Sequence, residues 1–503
     1  MTGNAADDHR APLGHLLAVD GRDYFYDVHT NGLLEVEPVL AAVLPLCGQR
    51  SRRFILATLA PRFGVGAVRD ALAAIDRGRR ERGLFLARRP RLVPPPSQWA
   101  RTGHCDRDLQ HLVLTVTERC NLRCSYCVHG GHLDWVRPHG RASMPEATAQ
   151  RATRWFLDRA DRGQEPVISF YGGEALLEPA LIEAVVAAAR AHPQGARVRF
   201  AVDTNGVLLD DRAIDLLLRE RMHLQVSLDG PPGVHDRHRV DIAGHATHAA
   251  IEAGLDRLLA CDPGAAARIV FNVTMAPPVD VAAVAAYFAD FPPFRRRCLA
   301  RAPLVRVGLA DLRGRDWSVP AAARDELERG LAGQEQLFLA SMASGRHVDA
   351  GPVARALCEP ALIRWHHRNR GALGRDWIPG GNCRPGRRKL HVMPDGSLHP
   401  CERTGNAMPI GDVASGLDPL MVRALQRRFH RVFAAHCGDC WALRRCHACF
   451  ATQAATCATG AAATPGGDCD RLRRAEERNL ALVVRSLRLS ARSRAWLETT
   501  TMR

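Results

Sequence analysis

The stretch His111-Leu-Val-Leu-Thr-Val-Thr117-Glu-Arg-Cys120-Asn-Leu-Arg-Cys124-Ser-Tyr-Cys127 decides the reading of this chain. Its first part is mostly apolar and β-branched and predicts a buried strand over 111–117. Cys120, Cys124 and Cys127 follow on the loop that leaves the strand. Three thiolates on one loop suit three irons of an iron–sulfur cubane and leave the fourth iron open. A three-ligand zinc site or buried free thiols would draw on the same residues.

Beyond this loop the chain alternates strands with helices. Apolar runs at 167–172, 198–203, 224–229, 269–275 and 304–309 are separated by helical patterns at 145–160, 179–191, 210–220 and 247–260. Repeated βα units imply parallel strands with right-handed crossovers. With 111–117 they make an α/β fold, a partial six-stranded TIM-like barrel over 109–315, with its site at the C-terminal strand ends. Polar motifs stand at those ends: Phe170-Tyr-Gly172-Gly173-Glu174, Asp203-Thr-Asn205-Gly206, Ser227-Leu-Asp229-Gly230-Pro231 and Val234-His-Asp-Arg237-His-Arg239. Glycines let backbone approach a ligand closely, a carboxylate accepts from an ammonium, and a guanidinium pairs with a carboxylate.

On these motifs the segment 111–310 resembles the radical S-adenosylmethionine (SAM) superfamily. The resemblance implies a [4Fe–4S] cluster on Cys120, Cys124 and Cys127, whose open iron chelates SAM. It implies that Tyr126 packs near the adenine and that Gly172, Gly173 and Glu174 contact the SAM amino group. Ser227 and Asp229 would lie near the ribose or methionyl part. Arg239 would pair with the SAM carboxylate, with Arg237 the alternative one register slip away, and Asn272 would reach the same pocket.

The remaining cysteines are unevenly spread. The chain has 503 residues and 16 cysteines, and eight of these fall between Cys383 and Cys469. Without an export signal such a cluster points to metal rather than disulfides. A helical bridge is expected at 316–357, its helix at 321–344, then a Cys-, Gly- and Arg-rich segment at 358–470 short of long periodic elements, then a helical tail at 471–503. The string Cys383, Cys401, Cys437, Cys440, Cys446, Cys449, with Cys469 or Cys457 last, resembles the seven-cysteine SPASM domain. That family places three residues between the cysteines matched by Cys446 and Cys449, whereas two stand here. The resemblance implies two auxiliary [4Fe–4S] clusters, one on Cys358, Cys383, Cys401 and Cys449, the other on Cys437, Cys440, Cys446 and Cys469. Paired Cys-x-x-Cys is also zinc spacing. Cys47, Cys105, Cys261 and Cys298 read as ordinary thiols. Glu402, beside Cys401, is a candidate general base for the substrate proton, or else a carboxylate paired with Arg403 or another arginine.

Residues 1–92 read as a separate unit. Asp23-Tyr-Phe-Tyr-Asp-Val28, the turn signal Asn31-Gly32 and Leu33-Leu-Glu-Val36 predict a hairpin. Helices are expected at 37–46, 52–62 and 66–82, with a closing strand at 84–87. This winged-helix-like makeup resembles the leader-recognition element of ribosomal peptide maturases, in which a leader peptide adds as a strand to the hairpin edge. A DNA-binding winged helix is the other reading. Pro94-Pro-Pro-Ser97 marks a linker over 93–108. The net charge of +16 suits an acidic peptide or nucleic acid, but no aromatic-interleaved basic stripe is present. No apolar run is long enough for a bilayer, and the N-terminus is unlike a signal peptide, so the cytoplasm is expected.

Together the three resemblances imply a radical SAM/SPASM maturase that cross-links a ribosomal precursor peptide by a thioether, carbon–carbon or ether bond. A flavodoxin- or ferredoxin-type protein would supply electrons. Peptide epimerisation and formylglycine formation are the enzymatic alternatives. An iron–sulfur redox sensor binding DNA is the non-enzymatic one.

Overall fold

The computed structural model describes residues 10–100, 105–133, 136–299, 301–310, 319–379, 383–406, 408–451 and 466–500. Cys457 and the N-terminal segment lie outside them. The first described element is an antiparallel sheet of Gly14–Val19 (β1), Arg22–Asp27 (β2) and Gly32–Val36 (β3), with β2 central. Asp20 and Gly21 join β1 to β2 with positive φ at both positions, the backbone a tight two-residue hairpin requires. The expected turn at Asn31-Gly32 is different: Gly32 already pairs with Asp27, and Asn31 instead caps a longer loop, accepting from the Tyr26 hydroxyl at 2.7 Å. Helices Pro38–Val43, Arg52–Phe63 and Val65–Arg77 follow. The expected strand at 84–87 does not form, because the Phe85 N–H donates to the Asp27 carboxylate at 2.7 Å rather than into a ladder.

This sheet is covered on both faces. Phe25 and Val36 pack with Val43, Ile55, Leu72 and Ile75 of the three helices. Leu17, Tyr24 and Tyr26 pack on Phe338, Met342, Leu480 and Val483, far along the chain. The proline-rich stretch is pinned rather than a free linker. Arg91–Leu92 (β4) pairs with a later strand, and Ser97–Ala100 forms a 3-10 turn.

The barrel strands are His111–Thr117 (β5), Val167–Gly172 (β6), Arg199–Thr204 (β7), His223–Ser227 (β8), Ile269–Met275 (β9) and Leu304–Leu309 (β10), all parallel to their neighbours. Asp376–Trp377 (β11) is the partner of β4. Lys389–Val392 (β12) then lies parallel to β5, so the Cys-rich segment adds a seventh parallel strand to the barrel sheet. Ser397–His399 (β13), Gly411–Asp412 (β14) and Gly416–Leu417 (β15) extend it antiparallel.

Period-two alternation sorts the barrel side chains. Leu112, Leu114, Ile168, Phe170, Phe200, Val202, Leu224, Val226, Phe271 and Leu390 join the main core under the helices. The alternate positions carry the polar Thr115, Ser169, Tyr171, Asp203, Gln225 and His391. They meet across strands, with His111 Nε2 and Ser169 Oγ 2.7 Å apart and Thr115 Oγ1 and His391 Nε2 2.8 Å apart.

The bridge helix is Ala321–Ala343. The 358–470 segment is more helical than expected, since Gly351–His366 runs into it and Pro419–Cys437 lies within it. Gly466–Cys469, expected as a ligand turn, is the first turn of helix Gly466–Leu487. Among the described residues no helix is long and apolar enough to cross a membrane.

Candidate active site

Backbone bonds from three directions hold the cysteine loop. From β6, the Gly173 N–H donates to Thr117 O and the Glu174 N–H to Arg119 O, both at 2.9 Å. From the segment after β8, His238 O accepts from Ser125 N and Val240 O accepts from Arg123 N, both at 2.8 Å. From its own return, Ala142 O accepts from Glu118 N at 2.8 Å. The glycines serve the first of these contacts. A Cβ at Gly172 would lie 2.1 Å from Thr117 O, and one at Gly173 would lie 2.1 Å from Arg119 O. Gly173→Ala is therefore expected to push the loop off β6 at a cost of about 1–3 kcal/mol. Thermal unfolding and iron content of the purified variant check this.

Glu174 is buried and braces the neighbouring strand end. Its carboxylate accepts from Leu176 N (3.0 Å), Thr204 Oγ1 (2.8 Å) and Asn205 N (2.7 Å), and burial raises its pKa. Asn205 in turn donates to Asn121 Oδ1 at 2.7 Å, within the cysteine loop. Beside Cys124, the Tyr126 hydroxyl donates to Asp229 and accepts from Arg239 Nη1 at 3.0 Å. Asp229 Oδ1 also accepts from Thr274 N at 2.8 Å, and burial pushes its pKa up. Arg239 is buried with Nε unpartnered among the described residues, whereas Arg237 donates outward to Pro278 O. The arrangement brings Arg239, not Arg237, to Tyr126. Ser227 ends β8 opposite Asn272 of β9.

Cys120, Cys124 and Cys127 act on one another electrostatically, and burial raises the Cys120 thiol to about 11. No disulfide joins any of the fifteen cysteines among the described residues. Among those residues no three Cys, His, Asp or Glu side chains converge on the position of a single metal ion. Each thiolate of a cubane binds a different iron, so three thiolates on one loop can serve three irons. The donor set fits an iron–sulfur cluster.

The C-terminal thiols fall into two sets. Burial and then the charges of Cys440, Cys446 and Cys469 raise the Cys437 thiol, and burial and then Cys440 and Cys469 raise that of Cys446. A buried pair, Arg445 Nε to Glu476 Oε2 at 2.9 Å, ties the Cys446 segment to helix Gly466–Leu487, which carries Cys469. Cys383 acts on Cys401, and Cys449 acts on Cys383. The charges that act most on Cys358 are those of Glu335 and Glu359 rather than of these thiols. It sits on helix Gly351–His366 in the apolar layer under the N-terminal sheet, its thiol pushed to about 12 by burial and then by Glu335 and Glu359. Helix packing claims this residue, which its linear spacing could not reveal. Cys383 and Cys449 line a cavity of about 1120 Å³ with Trp99, Arg384 and Phe450.

Glu402 pairs with Lys389 Nζ at 2.6 Å, not with Arg403. Its charge reaches Asp203, whose carboxyl burial and then Glu402 raise to about 7. It also reaches Tyr171, whose phenol is held neutral chiefly by burial. Sequence reasoning missed Lys389, Tyr171 and Asp203 as a group. The signal for the last two was their place at polar positions of alternating strands.

Residues 114–262 match the Radical SAM superfamily. GTP 3',8-cyclase 2 of Mycobacterium tuberculosis is 35% identical over 147 residues, covering 29% of this chain and 38% of the relative. An uncharacterised protein of Methanocaldococcus jannaschii is 29% identical over 122 residues, covering 24% and 39%. The chain thus spans well under half the length of these curated relatives. Among solved structures, native anSMEcpe with bound AdoMet aligns with a TM-score of 0.56 at 15% identity, over 76% of this chain and 100% of that one. That likeness extends the shared α/β fold beyond the matched segment. The chain carries, over residues 114–262, the domain of a radical SAM enzyme.

Proposed function

We propose that the protein is a radical SAM maturase that oxidatively cross-links a ribosomally made precursor peptide. The observation that carries this reading is the position of Glu402. It follows Cys401 directly, yet its charge reaches Asp203 and Tyr171 on the polar barrel face. A thiol set suited to an auxiliary cluster therefore adjoins the surface on which a polar substrate would lie.

A [4Fe–4S] cluster on Cys120, Cys124 and Cys127 with SAM supplies a 5′-deoxyadenosyl radical for hydrogen abstraction. Glu174 holds the 204–205 turn, and Arg239 and Asp229 fix Tyr126 beside the thiols. Glu402 takes the proton that substrate loses on bond formation, with Lys389 stabilising the charged carboxylate before it does so. Cys383, Cys401 and Cys449, and separately Cys437, Cys440, Cys446 and Cys469, would hold auxiliary clusters that supply the electron acceptor. A flavodoxin- or ferredoxin-type donor fits the reductive step.

A peptide substrate is supported by the likeness to anSMEcpe with bound AdoMet and Cp18Cys peptide (TM-score 0.51, 15% identity, 75% of this chain, 99% of that one). For the leader, β3 offers an edge with no strand partner beyond β2 among the described residues. Anaerobic co-expression with the peptide encoded beside the gene, followed by mass spectrometry, tests the reading. Loss of two hydrogens with fragments missing inside a ring is expected. An unchanged mass in ordinary water, with one deuterium gained in heavy water, would contradict cross-linking in favour of epimerisation.

A further inference from the structure

Arg137 stands in the segment that leaves the cysteine loop and returns to it. That segment is tied back on itself, with His139 N donating to His129 O at 2.8 Å, and its end rejoins Glu118 through Ala142. The Arg137 side chain is 5% exposed, and Nη1 and Nη2 have no partner among the described residues. Its nearest carboxylate among the described residues is Glu118, with Nε and Oε1 3.9 Å apart, beyond hydrogen-bonding distance. The other groups that most favour its charge are Tyr171, Cys127 and Cys120. Tyr171 is a neutral phenol at ordinary pH, since burial raises it far above its usual value.

An uncompensated buried charge costs several kcal/mol and is retained where an anion answers it. Glu118 answers it weakly, through one nitrogen and at a distance. Among the described residues, the other anions that act on it belong to the cysteine loop, where three thiolates on a cubane would carry net negative charge. We infer that Arg137 is the counter-charge of the cluster on Cys120, Cys124 and Cys127, a positioning residue that sets the potential at which that cluster is reduced. Reduction adds one electron to an already anionic group. A fixed cation beside it in a low-dielectric site favours the reduced form and raises the potential. Glu118, a fixed anion on the same loop, acts in the opposite sense.

The inference rests on the reading of those three cysteines as cluster ligands, and the test separates the two. Reconstituted full-length protein is titrated anaerobically with dithionite and redox mediators, and EPR follows the cluster whose reduced spectrum changes when SAM is added. Arg137→Gln is expected to lower its midpoint potential, Arg137→Lys to keep it near wild type, and Glu118→Gln to raise it. Should Arg137→Gln fail to fold or load iron, the opposite shift in Glu118→Gln carries the test. Unshifted potentials in every variant that loads iron would overturn the inference alone. A wild-type protein with no SAM-responsive EPR signal would overturn it together with the ligand assignment.

Discussion

Deleting residues 10–92 is expected to unfold what remains rather than release a working barrel. One face of the β1–β3 sheet buries Leu17, Tyr24 and Tyr26 against Phe338, Met342, Leu480 and Val483. Each large apolar side chain that loses its cover forfeits roughly 1.5–3 kcal/mol, and a few together reach the ~5–15 kcal/mol that stabilises a typical domain. Polar ties are lost as well. Arg444, two residues before Cys446, donates to His29 O at 3.1 Å, and Arg488 pairs with Asp20 at 2.8 Å. The N-terminal unit thus supports the very segment that carries the second thiol set. Size-exclusion chromatography and thermal unfolding of the truncated chain check this, and a monodisperse, cooperatively folding product would contradict it. Leader recognition is better probed by substitutions on the β3 edge than by truncation.

The joint replacement of Cys120, Cys124 and Cys127 by Ala is expected to bring 5′-deoxyadenosine formation down to reagent background. Iron content should fall by about a third, because one cubane of three is lost. Peptide binding should survive, since the loop is remote in sequence from β3 and its clamps to β6 and to His238–Val240 are backbone bonds that Ala preserves. Equilibrium binding of a labelled precursor peptide and iron analysis provide the two readouts. Turnover persisting in the triple variant would remove these cysteines from the chemistry.

Strong periodicity made the barrel legible. The pattern at 269–275 became β9 with those bounds, and the 210–220 helix became Asp211–Arg219. What failed to show in the sequence was set by distant partners. β12 is a four-residue strand, too short for its alternation to register, and it is a strand because β5 pairs with it. Phe85 left its expected strand for the Asp27 carboxylate. Cys358, a ligand on the SPASM resemblance alone, lies on a buried helix face in an apolar layer that its sequence neighbours did not reveal. The cysteine loop and the strand-end motifs were readable because their chemistry is local. Even there the glycines proved to answer first to backbone crowding against Thr117 and Arg119. Arg137 left no sequence signal, because its significance lies in a buried fork whose Nη atoms have no hydrogen-bond partner among the described residues.

The most direct measurement is the yield of 5′-deoxyadenosine from SAM by the anaerobically reconstituted, dithionite-reduced full-length protein, followed by liquid chromatography and mass spectrometry. Time-dependent formation that requires both the reductant and intact Cys120, Cys124 and Cys127 is the predicted result. A protein that loads iron fully and binds SAM, yet forms no 5′-deoxyadenosine under reduction, would contradict the account.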